Sequence, residues 1–496
     1  MKKLGQLLTP LSGYQLFGKK TITVSGISDD SRKIKKGNLF VAIKGFNFDG
    51  HKFIPQVISS GAVAIVGEED PEKLSLRGIT YIKVKDSRLT LGYLCSAWYD
   101  NPSEKLTVIG VTGTDGKTTT ASLIYSILKS SGKNTGLVST VEAKIGNKSY
   151  DTGFHVTNPE PPLLQKFLAQ MSRLECQYAV LEVTSHGLDQ QRVAGINFAA
   201  GVLTNITHEH LDYHKTFEKY RQAKSRLFWQ VKLAVLNEDD PSFRYIRGAT
   251  KKGAKIVSYG IKKKADLWAD KIEFSPVGMK FLVHEEGKII PFMTRLIGDY
   301  NVYNILAAAG VSRGLNIPWG AIQEATEKFR GVVGRMERID GDKKFSVIVD
   351  FAHTPNGLEN TLKTLQNVKK GDARIIAVFG CNGERDVVKR PMMGIIATKL
   401  ADLTVLTAED PRREDVNKII EQIVEGCQGA GGVEEKTFWK IPDRQKAIDF
   451  AIQKLARDDD IVVVCGKGHE KSMCFGTTEY PWSDQEAVRK AFRKNV

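Results

Sequence analysis

At 496 residues, with 41% hydrophobic and 26% charged positions, the chain has an ordinary globular composition and length for two to four domains. Its net charge of +15 suits a polyanionic ligand such as a nucleotide or nucleic acid, but Lys and Arg are dispersed. Clusters such as Lys262-Lys263-Lys264 have no interleaved aromatic platform for a single strand, so nucleic acid is set aside as a partner.

The N-terminal MKKLGQLL superficially resembles a signal peptide, but Thr9-Pro10, Ser12 and Gln15 interrupt the apolar region and no small-x-small site follows. No apolar run approaches membrane-spanning length, which excludes stable membrane insertion. Six cysteines (Cys95, Cys176, Cys381, Cys427, Cys465, Cys474) show no C-x-x-C spacing and read as reduced thiols. A soluble cytoplasmic protein is expected.

Residues 21–90 carry short β-rich runs, TITVSGI (21–27), LFVAI (39–43), AVAIV (62–66) and ITYIKV (79–84), with Gly-containing turns between them. They predict a small α/β domain, and Asn101-Pro102-Ser103 places its boundary so that it spans 1–104. From 105 to 337, runs such as YAVLEV (178–183) and LAVLN (233–237) alternate with helical stretches, the pattern of a parallel sheet covered by helices. After GVVGRMERI (331–339), FSVIVDF, RIIAVFG, LTVLT and DIVVVCG recur at helix-sized intervals. They predict a second, Rossmann-like doubly wound sheet over 338–496. The fold class is α/β with three domains, the central one built as a P-loop-type nucleotide-binding sheet.

The stretch GVTGTDGKTTT (110–120) follows an apolar run and precedes the helix-like ASLIYSILKSSG. Glycines at 110, 113 and 116 let backbone N–H groups face phosphate oxygens, Lys117 reaches the terminal phosphates, and Thr118 or Thr119 offers a hydroxyl to Mg²⁺. The pattern G-x-x-x-x-G-K-[ST] is not strictly met, because Val111 occupies the first Gly position. An ordinary Gly-rich strand-to-helix turn is the alternative.

Further along, LEVTSHGLDQQR (181–192) puts Glu182 at a strand end, where it could hold a nucleotide's metal or simply be solvated. In THEHLDYHKTFEKYRQAKSRLF (207–228), His208, His210 and His214 cluster, but zinc hydrolysis would need H-E-x-x-H. One histidine is therefore expected to contact Mg²⁺ or phosphate. DFAHTPNGLEN (350–360), FGCNGERDVVKRP (379–391), LTAEDPR (406–412) and CGKGHE (465–470) place acid, Arg, His and Lys at four strand ends. Together they suit a zwitterion, with Arg for a carboxylate and Glu for an amine.

The order GTDGKTT, EVTSHGL, HLDYH, YRQAKSRLF, GDYNVYN, GRMER, VDFAHTP, FGCNGERDVVKRPMM, EDPR and GKGHE resembles the Mur ligases, within them the tripeptide synthetase branch. The likeness runs from SGISDDSRKIKKGNLFVAIKG (25–45) to the C-terminus. It implies that ATP phosphorylates the side-chain carboxylate of D-glutamate in UDP-N-acetylmuramoyl-L-alanyl-D-glutamate. The amine of a diamino acid then displaces phosphate, in peptidoglycan precursor synthesis by a monomeric enzyme. By the same resemblance Gly113, Thr114, Gly116, Lys117, Thr118 and Thr119 form the ATP loop, with Asn301, Asn304, Arg335 and Asp350 also on the nucleotide. Thr118, Glu182, His210 and a carbamylated Lys224 are the implied metal ligands, and Lys117, Glu182, His210 and Lys224 the catalytic set. Ser31 and Arg32, then Thr157, Asn158, Thr184, Ser185, Gln190 and Arg192, match contacts to the UDP-muramoyl dipeptide. Arg385, Asp410, Arg412, Gly466 and Glu470 match the amino-acid pocket.

Some positions depart from the family pattern. Asp115 stands where Asn is usual, Asn158 where a second Thr is usual, and Tyr300 for a common Phe. EDPR (409–412) replaces D-N-P-R, so that Arg412 favours the distal carboxylate of meso-diaminopimelate while Asp410 favours an ammonium, as in L-lysine. Diaminopimelate is the expected substrate and lysine the next. A sister ligase, either a folylpolyglutamate synthetase or the Mur ligase that adds D-Ala-D-Ala, and a non-catalytic nucleotide-binding homologue are the alternatives.

Overall fold

The computed structural model describes every residue except 46–47, 77, 151, 153–157, 208, 276–277, 340 and 494–496, and for Asp212 the backbone alone. Its contacts divide it into two compact units, residues 1–269 with 283–290 and 303–326, and residues 270–282 with 291–302 and 327–496.

The first unit holds two sheets. The N-terminal one is ordered Gln15–Phe17, Thr80–Lys83, Ala64–Gly67, Asn38–Val41, Gly26–Ser28, parallel except for its first strand. Its runs of Val, Ile and Leu are β-branched or bulky and bury both faces, as a sheet covered by helices requires. The central sheet has Thr107–Thr112 in its middle, flanked by Tyr178–Glu182 and Phe198–Leu203. Thr135–Val138 lies beyond the first flank, and Leu233–Asn237 and Lys255–Gly260 beyond the second, all parallel. The two sheets share one unit because the helix Ser87–Trp98 meets the segment at 194–195 at backbone distance. A Cβ on Gly92 would lie 2.5 Å from Ala194 Cβ, and one on Gly195 2.8 Å from the Gly92 carbonyl oxygen.

Leu267–Ser275, Gly278–Glu285 and Lys288–Thr294 follow as three consecutive strands, which the strand–helix alternation expected over 105–337 does not include. The turn between the last two rests on left-handed Glu286 and Gly287, at φ 47° and 79°.

In the second unit the order is Glu337–Ile339, Ser346–Asp350, Ile461–Cys465, Ile375–Phe379, Leu403–Leu406, Phe438–Lys440, parallel apart from the first. Alternate residues of these apolar strands serve two separate cores. Ile348, Ile375, Ala377, Phe379 and Val463 pack on helices Pro355–Val368, Lys389–Leu400 and Val416–Gly429. Val347, Val349, Ile376, Val378 and Val462 pack on Arg444–Phe450 and Asp484–Arg493. The sheet is thus wound on both faces, in line with the doubly wound expectation. No helix among the described residues is long and apolar enough to cross a membrane. All six cysteines are free thiols.

One buried ion pair closes the second unit. Arg444 Nε and Nη2 donate to the two Asp484 oxygens at 2.8 and 2.7 Å, and the remaining N–H groups reach the carbonyls of Ala408 and Cys465. Neither side chain is more than 1% exposed. Arg444→Met would leave the Asp484 carboxylate buried without its cation. It should lower the opening free energy of this unit by about 3–5 kcal/mol. Faster amide hydrogen exchange in Ile461–Cys465 is the expected readout, and unchanged protection there would contradict it.

Candidate active site

Strand Thr107–Thr112 runs into the loop at 113–116 and then the helix Lys117–Ser130. A Cβ on Gly113 would sit 1.8 Å from Thr204 Oγ1, and one on Gly116, at φ 80°, 2.2 Å from Asn304 Oδ1. Both positions therefore demand glycine. Gly110 differs from its expected role: it lies within the strand, where a Cβ would meet Leu227 and Phe198, so it packs the sheet rather than lining the loop. Thr204 and Asn205 anchor the loop from the neighbouring strand's end, through Thr204 Oγ1 to the Asp115 carbonyl at 2.6 Å and the Asp115 N–H to Asn205 Oδ1 at 2.9 Å. Neither residue belongs to a phosphate-loop signature, so sequence reasoning missed them. The Asp115 side chain faces solvent. Among the described residues no side chain caps the helix, which leaves its first N–H groups and its positive end for an anion.

Lys117 Nζ donates to the Thr114 carbonyl at 2.7 Å. The next residue, Thr118, donates its hydroxyl to Glu182 Oε2 at 3.0 Å, and the same oxygen accepts the Thr140 N–H. Parallel register explains the meeting, because Glu182 pairs with Val111 immediately ahead of the loop. Thr119 is half-buried on the helix's first turn, and Thr120 bonds Asn304 Oδ1 at 3.2 Å.

Lys224, on helix Phe217–Ser225, is 1% exposed and donates to the Gly113 carbonyl at 2.6 Å. Burial, and next the charge of Lys117, push its pKa well below the usual lysine value, favouring the neutral amine. Tyr220 lies under it, 4.5 Å from ring centroid to Nζ, and bonds Thr114 Oγ1 at 3.0 Å. His210 takes a left-handed φ of 55° ahead of the short helix Leu211–His214, its ring 4.7 Å from that of His186 and 6.3 Å from that of Tyr220. His208 lies outside the described residues. No group of three or more His, Cys, Asp or Glu among the described residues has metal-holding geometry. The Thr118 hydroxyl and Glu182 carboxylate are instead hard oxygens of the kind Mg²⁺ takes alongside water and phosphate.

Asn158 is built into this framework. Its Oδ1 accepts both the N–H and the hydroxyl of Thr184 at 2.8 Å, and its Nδ2 donates to the Glu182 carbonyl at 2.7 Å. Thr184 caps the helix Ser185–Asp189, and the buried Ser185 hydroxyl has no hydrogen-bond partner among the described residues. Gln190 accepts from Arg192, which also bonds the Asn158 carbonyl and pairs with Glu160 at 3.0 Å. Thr157 lies outside the described residues.

Arg192 and Glu160 form one wall of a cavity of about 620 Å³, and Ser28, Asp29, Lys33 and Asn38 form the other. Burial raises the carboxyl pKa of both Asp29 and Glu160. Ser31 and Arg32 stand next to this cavity on a turn capped by Asp30, and Arg32 is exposed and paired with Asp30 at 2.9 Å.

In the second unit, parallel topology puts the carboxyl ends of the four strands ending at Asp350, Cys465, Phe379 and Leu406 on one edge. Asp350 accepts from the N–H groups of Met336 and Ala352 and from the Thr361 hydroxyl, and burial raises its pKa. Arg335 covers the Phe351 ring at 4.4 Å, and Asn301 donates to the Ile297 carbonyl at 2.8 Å. Arg385 is exposed ahead of helix Lys389–Leu400.

Glu409 is 2% exposed, and its carboxyl is pushed up to about 8 by burial, against the opposing charge of Lys389. Gly466, at φ 114°, leaves just enough room for it, since a Cβ there would lie 2.2 Å from Glu409 Oε2. Asp410 is not the free anion its replacement of a neutral amide suggests. Lys467 Nζ lies 2.8 Å from both of its oxygens, and Lys467 also pairs with Glu470. The only sequence signal for this was the lysine inside GKGHE, which reads as one charge of a rim rather than a partner for position 410.

Comparison with known proteins finds likeness over nearly the whole chain. Residues 23–99 match the Mur ligase family catalytic domain, 111–312 the Mur ligase middle domain, and 334–468 the Mur ligase glutamate ligase domain. The UDP-N-acetylmuramoyl-L-alanyl-D-glutamate–2,6-diaminopimelate ligase of Geobacillus thermodenitrificans is 39% identical, with 99% of each chain covered. A UDP-N-acetylmuramyl-tripeptide synthetase of Roseiflexus sp. is 40% identical over 94% of each. A solved 2,6-diaminopimelate ligase superposes with a TM-score of 0.70 at 29% identity, covering 99% of both chains. MurF from Acinetobacter baumannii shares the fold at a TM-score of 0.64 and 21% identity, covering 95% of this chain and 93% of its own. The chain belongs to the Mur ligase family.

Proposed function

We infer that the chain is an ATP-dependent amide ligase that adds meso-diaminopimelate to UDP-N-acetylmuramoyl-L-alanyl-D-glutamate in peptidoglycan precursor synthesis. The observation that carries this reading is the convergence of Lys117, the Thr118–Glu182 pair and buried Lys224 on one glycine loop, in a chain related end to end to diaminopimelate ligases. Residues 1–104 hold the UDP end of the substrate, 105–337 the ATP, and 338–496 the amino acid, in a monomer.

A carboxylate is a poor electrophile. Transfer of the ATP γ-phosphoryl group to the D-glutamate side-chain carboxylate gives an acyl phosphate, with phosphate as a good leaving group. Attack by the diamino acid's amine forms the amide and expels phosphate. The loop N–H groups and Lys117 carry the charge that develops on the phosphoryl oxygens. Asn301, Asn304, Arg335 and Asp350 serve the nucleotide end. Thr118 and Glu182, with His210 and carbamylated Lys224 as the further ligands, would hold Mg²⁺, which would supply additional charge neutralisation there.

Lys224 in its neutral form adds CO2, forming an N–C bond and releasing a proton, so a neutral amine becomes an anionic oxygen donor. Ser31, Arg32, Thr157, Asn158, Thr184, Ser185, Gln190 and Arg192 serve the UDP-muramoyl dipeptide, with the cavity beside Arg192 taking part of it. Arg385, Asp410, Arg412, Gly466 and Glu470 serve the amino acid.

Phosphate release with ATP, Mg²⁺, the UDP-muramoyl dipeptide and meso-diaminopimelate tests the reading directly. Turnover only with the tripeptide and D-Ala-D-Ala would instead favour the sister ligase. Lys117→Ala should cut turnover by at least about 100-fold, and an unchanged rate would sink the proposed phosphoryl transfer. Activity should fall in CO2-depleted buffer and return with bicarbonate, a dependence that Lys224→Ala abolishes. The sign follows from the lowered pKa: the neutral amine predominates above it, so the bicarbonate response should vanish as pH falls through that pKa. A response that grows on acidification would contradict it.

A further inference from the structure

Segment 409–412 carries Glu409, whose carboxyl burial pushes up to about 8, and two opposite charges, Asp410 and Arg412, which the fold treats differently. Asp410 is 1% exposed, at a left-handed φ of 41°, and accepts the Cys474 N–H at 2.9 Å as well as Lys467 at 2.8 Å on each oxygen. Lys467 is fully buried; burial disfavours its charge, but Glu470 and Asp410 outweigh that and hold its pKa above the usual lysine value. Arg412, at φ 53°, is anchored by its backbone, its N–H to the Cys474 carbonyl at 3.1 Å and its carbonyl to the Gly476 N–H at 2.7 Å. Among the described residues no hydrogen bond or ion pair engages its half-buried guanidinium. Asp410 is thus paired inside the protein, with an ammonium it shares with Glu470, whereas the Arg412 guanidinium is unpaired among the described residues.

We propose that Lys467 is a specificity-determining residue: by neutralising Asp410 within the fold it leaves Arg412 as the uncompensated charge of segment 409–412, so that an amino acid with a carboxylate at its far end is admitted. This rests on the reading that this strand edge takes the incoming diamino acid. Without Lys467, the Asp410 anion would repel a second carboxylate and attract an ammonium, which turns the preference from diaminopimelate toward lysine. Glu470 shares the same ammonium, so Lys467 cannot turn toward the substrate without leaving two carboxylates side by side.

The test is the ratio of kcat/KM for meso-diaminopimelate to that for L-lysine, a quantity in which the folded fraction cancels. Lys467→Met should shift this ratio toward lysine by at least about tenfold. The same change in a D410N background should shift it by less than about threefold, because the anion to be masked is gone. K467Q, which keeps a donor for Asp410 but no charge, is measured in parallel and should shift the ratio the same way. An unmoved ratio in both single variants overturns the proposal. So does an equal shift with and without Asp410, which would mean that Lys467 meets the substrate itself. A wild-type enzyme that turns over neither amino acid overturns the ligase reading instead, and that is seen before any variant is compared.

Discussion

Parallel strand pairing is the constraint on which the molecule's chemistry depends. In a parallel sheet every carboxyl end lies on the same edge, so residues far apart in sequence meet without any local motif joining them. Register then fixes the contact. Because Glu182 pairs with Val111, its carboxylate arrives beside the first turn of the helix after the loop, and Thr118 bonds it. A register shift of one residue would turn Glu182 to the other face of the sheet and remove the pair. In the second unit the same rule assembles Asp350, Asp410 and Glu470 from three separate strand ends.

Two buried lysines show how surroundings set the role of one residue type. Lys224 has a carbonyl for its partner and a second lysine nearby, and the more weakly felt carboxylates of Glu209, Asp115 and Glu182 do not outweigh the desolvation of its charge, so the amine form is favoured. Lys467 is equally enclosed, but two carboxylates surround its ammonium and the charge persists. The first is suited to chemistry on nitrogen and the second to neutralising a neighbour. Solvent exposure alone, 1% against 0%, does not separate them.

Much of this was legible beforehand. The strand runs YAVLEV, LAVLN, FSVIVDF, RIIAVFG and DIVVVCG have continuous apolar centres, as a sheet covered on both faces requires, and each became a parallel strand. The glycine loop was legible because glycine and lysine chemistry is local. Gly110 was misread for the opposite reason: its need for a bare Cα comes from Leu227 and Phe198, residues of other elements. The strands after Leu267 escaped notice because the strand–helix alternation was carried past the point where it ends.

Sequence by itself determined the fold class, the position of the phosphate-type loop and the family, since these depend on periodicity, backbone freedom and an ordered set of short motifs. Tertiary structure alone decided which charges act. Whether Asp410 is an anion toward a ligand, or Lys224 a cation, depends on desolvation and on partners supplied by distant strand ends. Electrostatic interaction depends on separation in space and on local dielectric, and spacing along the chain encodes neither.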